Sequence, residues 1–173
     1  MANLQECEVL CKVIRVEITP EQLTRASELY DFGALKDSIT KGKSNIYGAL
    51  GEVIVHDYLE STGRRVKFDN TADYDLIVNG RKVDVKSKRT TVPPLPSFNC
   101  SISAHNTAQK CDIYVFTRIH ESKTHGWICG WATKTEYFKK AKFYRVGQKD
   151  PKFPAFKFKG SCYNLSINKL EEL

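Results

Sequence analysis

The feature that most constrains this chain is a two-residue turn, Asn79-Gly80, between two runs of alternating apolar and polar side chains. The runs are residues 74–78 and 81–87. An Asn-Gly pair in this setting is typical of a β-hairpin. With these two residues at the turn, strand pairing places Asp75 directly opposite Asp84.

Two facing carboxylates need an explanation, because like charges directly opposite each other destabilise a hairpin. Side chains alternate along a strand, so Asp73, Asp75, Asp84 and Lys86 share one face. The other face is apolar and packs inward, so we expect the acidic face to point outward. A divalent cation such as Mg²⁺ would compensate for the charge. The alternative is a solvated hairpin with a surface ion pair between Asp73 and Lys86, which leaves Asp75 opposite Asp84 unexplained.

Two helices are predicted upstream of the hairpin. Thr19-Pro20-Glu21-Gln22 has the pattern of a capping box at a helix start, and the helix should continue through about Leu29 or beyond. A second helix is predicted over residues 45–60 from apolar residues at helical spacing. Gly48 and Gly51 are costly inside a helix, so they indicate close approach to another part of the chain.

The remaining elements alternate between strands and short helices. We predict strands at 65–68, 112–117 and 127–131, short helices at 104–110 and 133–141, a loop over 91–103, and a final strand with a short helix. This order predicts a mixed α/β fold, one sheet flanked by helices. The 173 residues fit a single domain.

Composition narrows the class of partner. The chain carries 27 Lys and Arg against 20 Asp and Glu, a net charge of +7, which suits a polyanion such as nucleic acid. No apolar run approaches the roughly 20 residues of a membrane span, and residues 1–12 lack a signal-peptide pattern, so we expect a cytoplasmic protein without a membrane partner. The six cysteines fit no zinc-site spacing and are predicted to be reduced thiols.

The hairpin resembles the PD-(D/E)XK nuclease superfamily, which has the restriction-endonuclease-like fold. Asp75, followed nine residues later by Asp84-Val85-Lys86, matches its motif, although Tyr74 stands where that family commonly has proline. Glu52 lies on the upstream helix where that family often has a glutamate. The resemblance implies an αβββαβ core over residues 44–118, an N-terminal helical region over 1–43 and a C-terminal extension over 119–173.

The resemblance also implies roles for these residues. Asp75, Asp84 and the Val85 carbonyl would bind Mg²⁺, for which Mn²⁺ could substitute, and Glu52 would bind it directly or through water. Lys86 would orient or activate the attacking water, and Asp73 is the alternative for the role of Asp75. His56 could lie beside the metal, but imidazole suits zinc better, so we expect it to contact a polar face instead.

Six further residues are candidates for binding the phosphate backbone. They are Lys41, Lys43, Lys88, Arg89, Gln109 and Lys110. The function expected from the resemblance is that of a Mg²⁺-dependent DNA endonuclease of the restriction, homing or junction-resolving type. It would act as a homodimer, need no small-molecule cofactor, and could be encoded by a phage or mobile element.

Three alternatives remain open from the sequence. A nucleic-acid-binding module could keep the fold and cut poorly or not at all. A nuclease acting on RNA would differ only in substrate, although no RNA-recognition signature is visible. An unrelated protein could carry the motif by chance, because short motifs give false positives.

Overall fold

The computed structural model of the chain describes residues 13–34, 45–69 and 71–173. The α-helices within these ranges are α1 (Pro20–Ala34), α2 (Asn45–Ser61) and α3 (Lys134–Lys140). The strands are β1 (Ile14–Glu17), β2 (Val66–Phe68), β3 (Leu76–Val78), β4 (Arg81–Thr90), β5 (Asn99–Ser103), β6 (Ile113–His120), β7 (His125–Thr133), β8 (Lys142–Tyr144) and β9 (Cys162–Ser166). Two single 3₁₀ turns, Ala104–Asn106 and Ile167–Lys169, complete the described elements.

Six strands form one mixed sheet in the order β1-β7-β6-β4-β3-β2, and β5, β9 and β8 form a second, three-stranded sheet. Within the larger sheet β4 and β6 run parallel, and the other neighbours are antiparallel. The expected mixed α/β class is confirmed at this level. The parallel pair matters for function because it places two strands side by side, each carrying polar residues along the same face.

The larger sheet is covered on both faces. One hydrophobic cluster joins α1 and α2 to the sheet and includes Leu50, Ile54 and Val83. The other joins the opposite face to β5, β9 and α3 and includes Tyr114 and Tyr137. Because the hairpin is covered from both sides, its acidic face is not a solvent surface, contrary to our expectation.

The predicted hairpin is confirmed in type and register. Val78 pairs with Arg81, and Leu76 pairs with Val83. Asn79 and Gly80 have φ angles of 48° and 84°, as a type I′ turn requires. The predicted register therefore holds for the pairs between residues 76–78 and 81–83, and Asp75 immediately precedes β3.

Both helix starts and several strands also follow the sequence, with local exceptions. The Thr19 amide donates to Gln22 Oε1 at 3.0 Å, and the Gln22 amide donates to Thr19 Oγ1 at 3.1 Å, so the capping box is confirmed. Three strands were not predicted: β1, β5 within the expected loop, and β8 after the expected helix at 133–141. The expected helix at 104–110 is only the 3₁₀ turn at 104–106, so that prediction is wrong in extent.

The structure tests the predictions on cysteines and on membrane-spanning helices only for the described residues. Cys7 and Cys11 lie outside the described residues. Within the described ranges Cys100, Cys111 and Cys129 are buried free thiols, and Cys162 is a partly buried one. No described helix combines the length and the apolar character that crossing a membrane would require.

Candidate active site

The start of β3 places Asp75 against β4. The Asp75 amide donates to the Val83 carbonyl at 3.0 Å, and the Val85 amide donates to Asp75 Oδ2 at 2.7 Å. The N–H and C=O of one strand residue point to the same side. The Val85 carbonyl therefore points to the same side of β4 as the Val85 amide, towards Asp75. Asp75 and the Val85 carbonyl are thus oxygen donors at one point of the sheet.

Asp84, Lys86 and Gln109 form a closed polar triangle. Asp84 is only 3% exposed, and Lys86 Nζ lies 2.6 Å from its Oδ2. Gln109 Nε2 donates to Asp84 Oδ1 at 3.2 Å, and Lys86 Nζ donates to Gln109 Oε1 at 3.1 Å. Gln109 therefore fixes the carboxylate and the ammonium group together.

Gln109 is itself held from two sides. Its Nε2 also donates to the Ala72 carbonyl at 3.2 Å, and Lys134 Nζ donates to the Gln109 carbonyl. Sequence reasoning placed Gln109 among residues that bind the phosphate backbone. Its contacts instead make it a partner of the two central side chains.

Glu52 approaches this group because α2 packs tightly on the sheet. A Cβ atom at Gly51 would lie 1.8 Å from Ser87 Oγ and 2.6 Å from Thr117 Oγ1. Only glycine allows this approach, as the sequence predicted for this position. A Cβ at Gly48 would meet nothing within 4 Å, so the same prediction is wrong there.

The three carboxyl groups interact strongly. Burial, followed by the charges of Asp75 and Asp84, raises the pKa of Glu52 to about 9. Burial and the charge of Asp84 raise the pKa of Asp75 to about 7. Burial also raises the pKa of Asp84, although Lys86 and Gln109 oppose the rise. Lys86 alone does not balance this negative charge, so the site favours protons or a bound cation.

The donor set fits a hard divalent cation. Carboxylate and carbonyl oxygens are the ligands that Mg²⁺ takes from proteins, and it keeps several waters. Asp84 Oδ2 is buried, and the Lys86 ammonium group at 2.6 Å is its partner in the ion pair. A metal bound at this oxygen would share it with Lys86 or displace Lys86.

Glu52, Asp75 and Asp84 do not converge on one point as a set. Among the described residues, the group of three metal-ligating side chains whose ligand atoms lie within 4.8 Å of one another is His56, Asp57 and Glu60. The carboxylates around Lys86 are more widely spaced.

The group around His56 already has internal partners. His56 stacks on Phe68 at a ring distance of 4.4 Å, and its Nδ1 lies 2.9 Å from Asp57 Oδ1. Asp57 also accepts from Arg25 at 2.9 Å and from Gln22 at 2.8 Å. Burial alone would raise the pKa of Asp57, but these hydrogen bonds lower it. The cluster therefore ties α1 to α2, and a metal would have to displace Arg25.

Asp73 lies away from the central group. It precedes β3, and its Oδ1 accepts from the Lys110 amide at 3.2 Å. Lys86 pairs with Asp84, so the alternative interpretation, a surface ion pair between Asp73 and Lys86, is wrong. The chain turns before β3 begins, so the hairpin register does not extend to Asp73.

The candidate backbone-binding residues have different surroundings. Lys88 and Lys110 are exposed. Arg89 is exposed as well, but its Nη2 lies 2.6 Å from Glu121 Oε2. Lys41 and Lys43 lie outside the described residues. Sequence reasoning missed Arg118, which is 8% exposed on β6, because an arginine within an apolar strand carries no motif.

Comparison with known proteins adds no constraint on function. No family model and no curated protein matches the chain. Function has to be inferred from the geometry of its side chains.

Proposed function

We propose that this chain is a Mg²⁺-dependent endonuclease that hydrolyses the phosphodiester backbone of DNA. The observation that carries the proposal is the arrangement of Asp75, Asp84 and Lys86 around one strand edge, with Glu52 coupled to them electrostatically. Buried titratable groups that shift one another's pKa are typical of active sites.

The element order supports a restriction-endonuclease-like core. Helix α2 is followed by the antiparallel strands β2, β3 and β4, then by β5 of the smaller sheet, the 3₁₀ turn at 104–106, and β6 parallel to β4. Apart from the inserted β5 and a helix of only one turn, this order resembles the αβββαβ core that the resemblance implies.

The oxygen donors for the metal would be Asp75, Asp84 and the Val85 carbonyl, with Glu52 held through water. A bound Mg²⁺ or Mn²⁺ would polarise the phosphoryl group and lower the pKa of a coordinated water. Without metal, the Glu52 carboxyl holds a proton at neutral pH, since its pKa is about 9. Loss of that proton restores a charged ligand.

Lys86 would act on the water and the phosphate. Its ammonium group, held by Gln109, can donate a hydrogen bond to the attacking water or to a phosphate oxygen, where negative charge increases in the transition state. The water oxygen would bond to phosphorus as the P–O3′ bond breaks, with one water proton released to solvent and one proton taken up from solvent by O3′. The products are a 3′-hydroxyl and a 5′-phosphate, without a covalent enzyme intermediate.

The net charge of +7 supports a polyanionic substrate, and a homodimer would give one site for each DNA strand. The second candidate is a binding module that cuts poorly or not at all. The specific observation in its favour is that Lys86 is engaged with Asp84, and the three carboxylates do not share a 4.8 Å sphere.

A cleavage assay separates these candidates. Supercoiled plasmid, branched DNA, single-stranded DNA and single-stranded RNA are each incubated with Mg²⁺, Mn²⁺ or EDTA. We expect metal-dependent cutting of DNA by the native chain and a loss of roughly 100-fold or more in Lys86→Ala. The matched control is Lys82→Ala, an exposed lysine of the same strand, which should cut normally.

Each other result has a defined meaning. Binding of all substrates without cutting would support the binding module. Faster cutting of RNA than of DNA would reassign the substrate. Equal activity of Lys86→Ala and the native chain would contradict the proposed role of Lys86.

A further inference from the structure

A basic pocket adjoins the candidate active site. It lies between β4, β5 and β6, and three basic residues, Lys86, Lys88 and Arg118, line it together with Asn99, Ser101 and the apolar residues Cys100 and Phe116. Lys86 belongs to both the pocket and the triangle with Asp84 and Gln109. The pocket and the candidate site are therefore continuous.

Arg118 is buried in this pocket without full hydrogen bonding. It is 8% exposed, its Nη2 donates to the Asn99 carbonyl at 3.0 Å, and its guanidinium lies 4.8 Å from the Phe98 ring. Its Nε is buried and has no acceptor. A buried guanidinium donor without an acceptor is costly, so an anion entering the pocket would be stabilised.

Lys88 adds a second positive charge beside the first. It is the register partner of Arg118 across the parallel β4–β6 pair. Enough protein surrounds its ammonium group for desolvation to lower the pKa of Lys88, and the charge of Arg118 lowers it further. Neither side chain forms an ion pair with any residue in ranges 13–34, 45–69 and 71–173.

We infer that this pocket binds a phosphate of the nucleic-acid backbone adjacent to the phosphate that is cut. This inference rests on the proposed function. Lys88 follows Lys86 by two residues on the same strand face, about 6.6–6.8 Å along the strand. An elongated polyanion can therefore contact Lys86 with one phosphate and the Lys88–Arg118 pair with another.

The test measures how DNA affinity depends on salt. A short fluorescein-labelled duplex is titrated with the native chain, Lys88→Gln and Lys67→Gln, using fluorescence anisotropy with Ca²⁺ in place of Mg²⁺. Each phosphate contact contributes roughly one unit to the slope of log affinity against log salt. We expect Lys88→Gln to lower this slope by about one unit. Lys67→Gln should leave it unchanged, since Lys67 is exposed on the edge strand β2, two strands away from β4.

A modified substrate locates the contact. Uncharged methylphosphonate linkages are introduced one at a time into the duplex. At one linkage beside the cut site, the methylphosphonate should lower the DNA affinity of the native chain. The same methylphosphonate should not lower the affinity of Lys88→Gln further, because the substitution and the uncharged linkage remove the same interaction. If the affinity losses from Lys88→Gln and from the methylphosphonate add at every linkage, the inference is wrong.

A titration with inorganic phosphate tests whether the pocket binds free phosphate and not a phosphate of the nucleic-acid backbone. If phosphate raises the unfolding temperature of the native chain above its value in chloride of equal ionic strength, and Lys88→Gln binds DNA with the native slope, the pocket takes free phosphate and the inference is wrong. Arg118→Lys, which keeps the charge but removes Nε, should weaken DNA binding with little change in slope.

Failure of this inference is distinguishable from failure of the proposed function. If the native chain cuts DNA but the slopes of the native chain and Lys88→Gln agree, the pocket inference is wrong and the nuclease proposal stands. If the slopes differ and no substrate is cut, the pocket binds phosphate and the nuclease proposal is wrong.

Discussion

At the scale of single residues, Gln109 decides how Asp84 and Lys86 meet. It donates to one and accepts from the other, so neither is free to move independently. A residue that orients metal ligands and a catalytic group without touching the substrate is a positioning residue. Such residues often contribute 10–100-fold to metal affinity or activity.

We predict that Gln109→Ala reduces cleavage by about 10–100-fold and raises the Mg²⁺ concentration needed for half-maximal rate. The physical reason is that Asp84 Oδ1 loses its donor and Lys86 loses one of its two partners. The measurement is the cleavage rate over a Mg²⁺ titration. Gln148→Ala is the control, because the exposed side chain of Gln148 accepts a hydrogen bond from the Arg145 amide and lies outside the candidate site. An unchanged rate and Mg²⁺ dependence in Gln109→Ala would contradict this role.

The raised pKa of Glu52 leads us to expect an unusual pH dependence of the free energy of unfolding. Its ordinary pKa is 4.5, and in the folded chain it is about 9. The folded state therefore holds the proton more tightly than the unfolded state, and its contribution to stability is complete below pH 4.5. That contribution is lost as the pH rises from 4.5 to 9.

We therefore expect Glu52→Gln to stabilise the metal-free protein at pH 8 by at least about 1 kcal/mol, since Gln cannot ionise. The gain should disappear near pH 4.5. In thermal unfolding with EDTA, this corresponds to a rise of about 2–4 °C per kcal/mol for a chain of this size. Glu60→Gln, at an exposed position of the same helix, is the control. A Glu52→Gln variant that is less stable than the native chain at pH 8 would contradict the assignment.

At the scale of elements, the contact of α2 with β4 and β6 sets the position of Glu52. The close approach rests on Gly51, where Ser87 and Thr117 leave no room for a side chain. Ser87 Oγ and Thr117 Oγ1 are themselves hydrogen-bonded at 2.7 Å, so displacing one breaks that bond. Helix position and local polar contacts are therefore coupled.

Two glycine substitutions test this coupling within one helix. Gly51→Ala should destabilise the protein by about 1–3 kcal/mol, because the new methyl group overpacks the contact with β4 and β6. Gly48→Ala meets nothing within 4 Å and should stabilise it by up to about 1 kcal/mol through helix propensity. Denaturant unfolding of both variants measures the difference. Equal effects of the two substitutions would show that α2 does not pack as described.

Sequence predicts elements where their cause is local. The β3–β4 hairpin follows from Asn79-Gly80, and the start of α1 follows from four residues at 19–22. Strand β5 was missed because it follows a proline-rich stretch and exists by pairing with β9, some sixty residues later. Strand β1 was missed for the same reason, since its partner is β7. Nothing local in either segment indicates a distant partner.

At the scale of the whole molecule, the candidate site lies where two layers meet. Helices α1 and α2 cover one face of the larger sheet, and β5, β9 and α3 cover the other. Residues from α2, β3, β4 and the segment before β6 converge there. The motif predicted Asp75, Asp84 and Lys86 as a group. The burial of Asp84 and of Arg118 depends on the layer formed by β5, β9 and α3, which has no sequence signature.

The layers that cover both faces of the larger sheet also explain why the site carries several charges and is partly shielded from water. Covering both faces removes water from three carboxyl groups that the hairpin and α2 bring together. Burial of like charges costs stability, and buried groups with strongly shifted pKa values are concentrated at functional sites. The proposed function assigns a divalent cation to the acidic group and a polyanion to the adjoining basic pocket.

The most direct test of the central claim is the rate of plasmid nicking by the native chain and by Asp84→Asn, each with Mg²⁺ and with EDTA. Asparagine keeps the size of the side chain and removes the charged ligand. We predict nicking by the native chain only with Mg²⁺, and at least about 100-fold less in Asp84→Asn, with DNA binding retained. Equal nicking by both proteins, or nicking that persists in EDTA, would contradict the proposed metal-dependent nuclease.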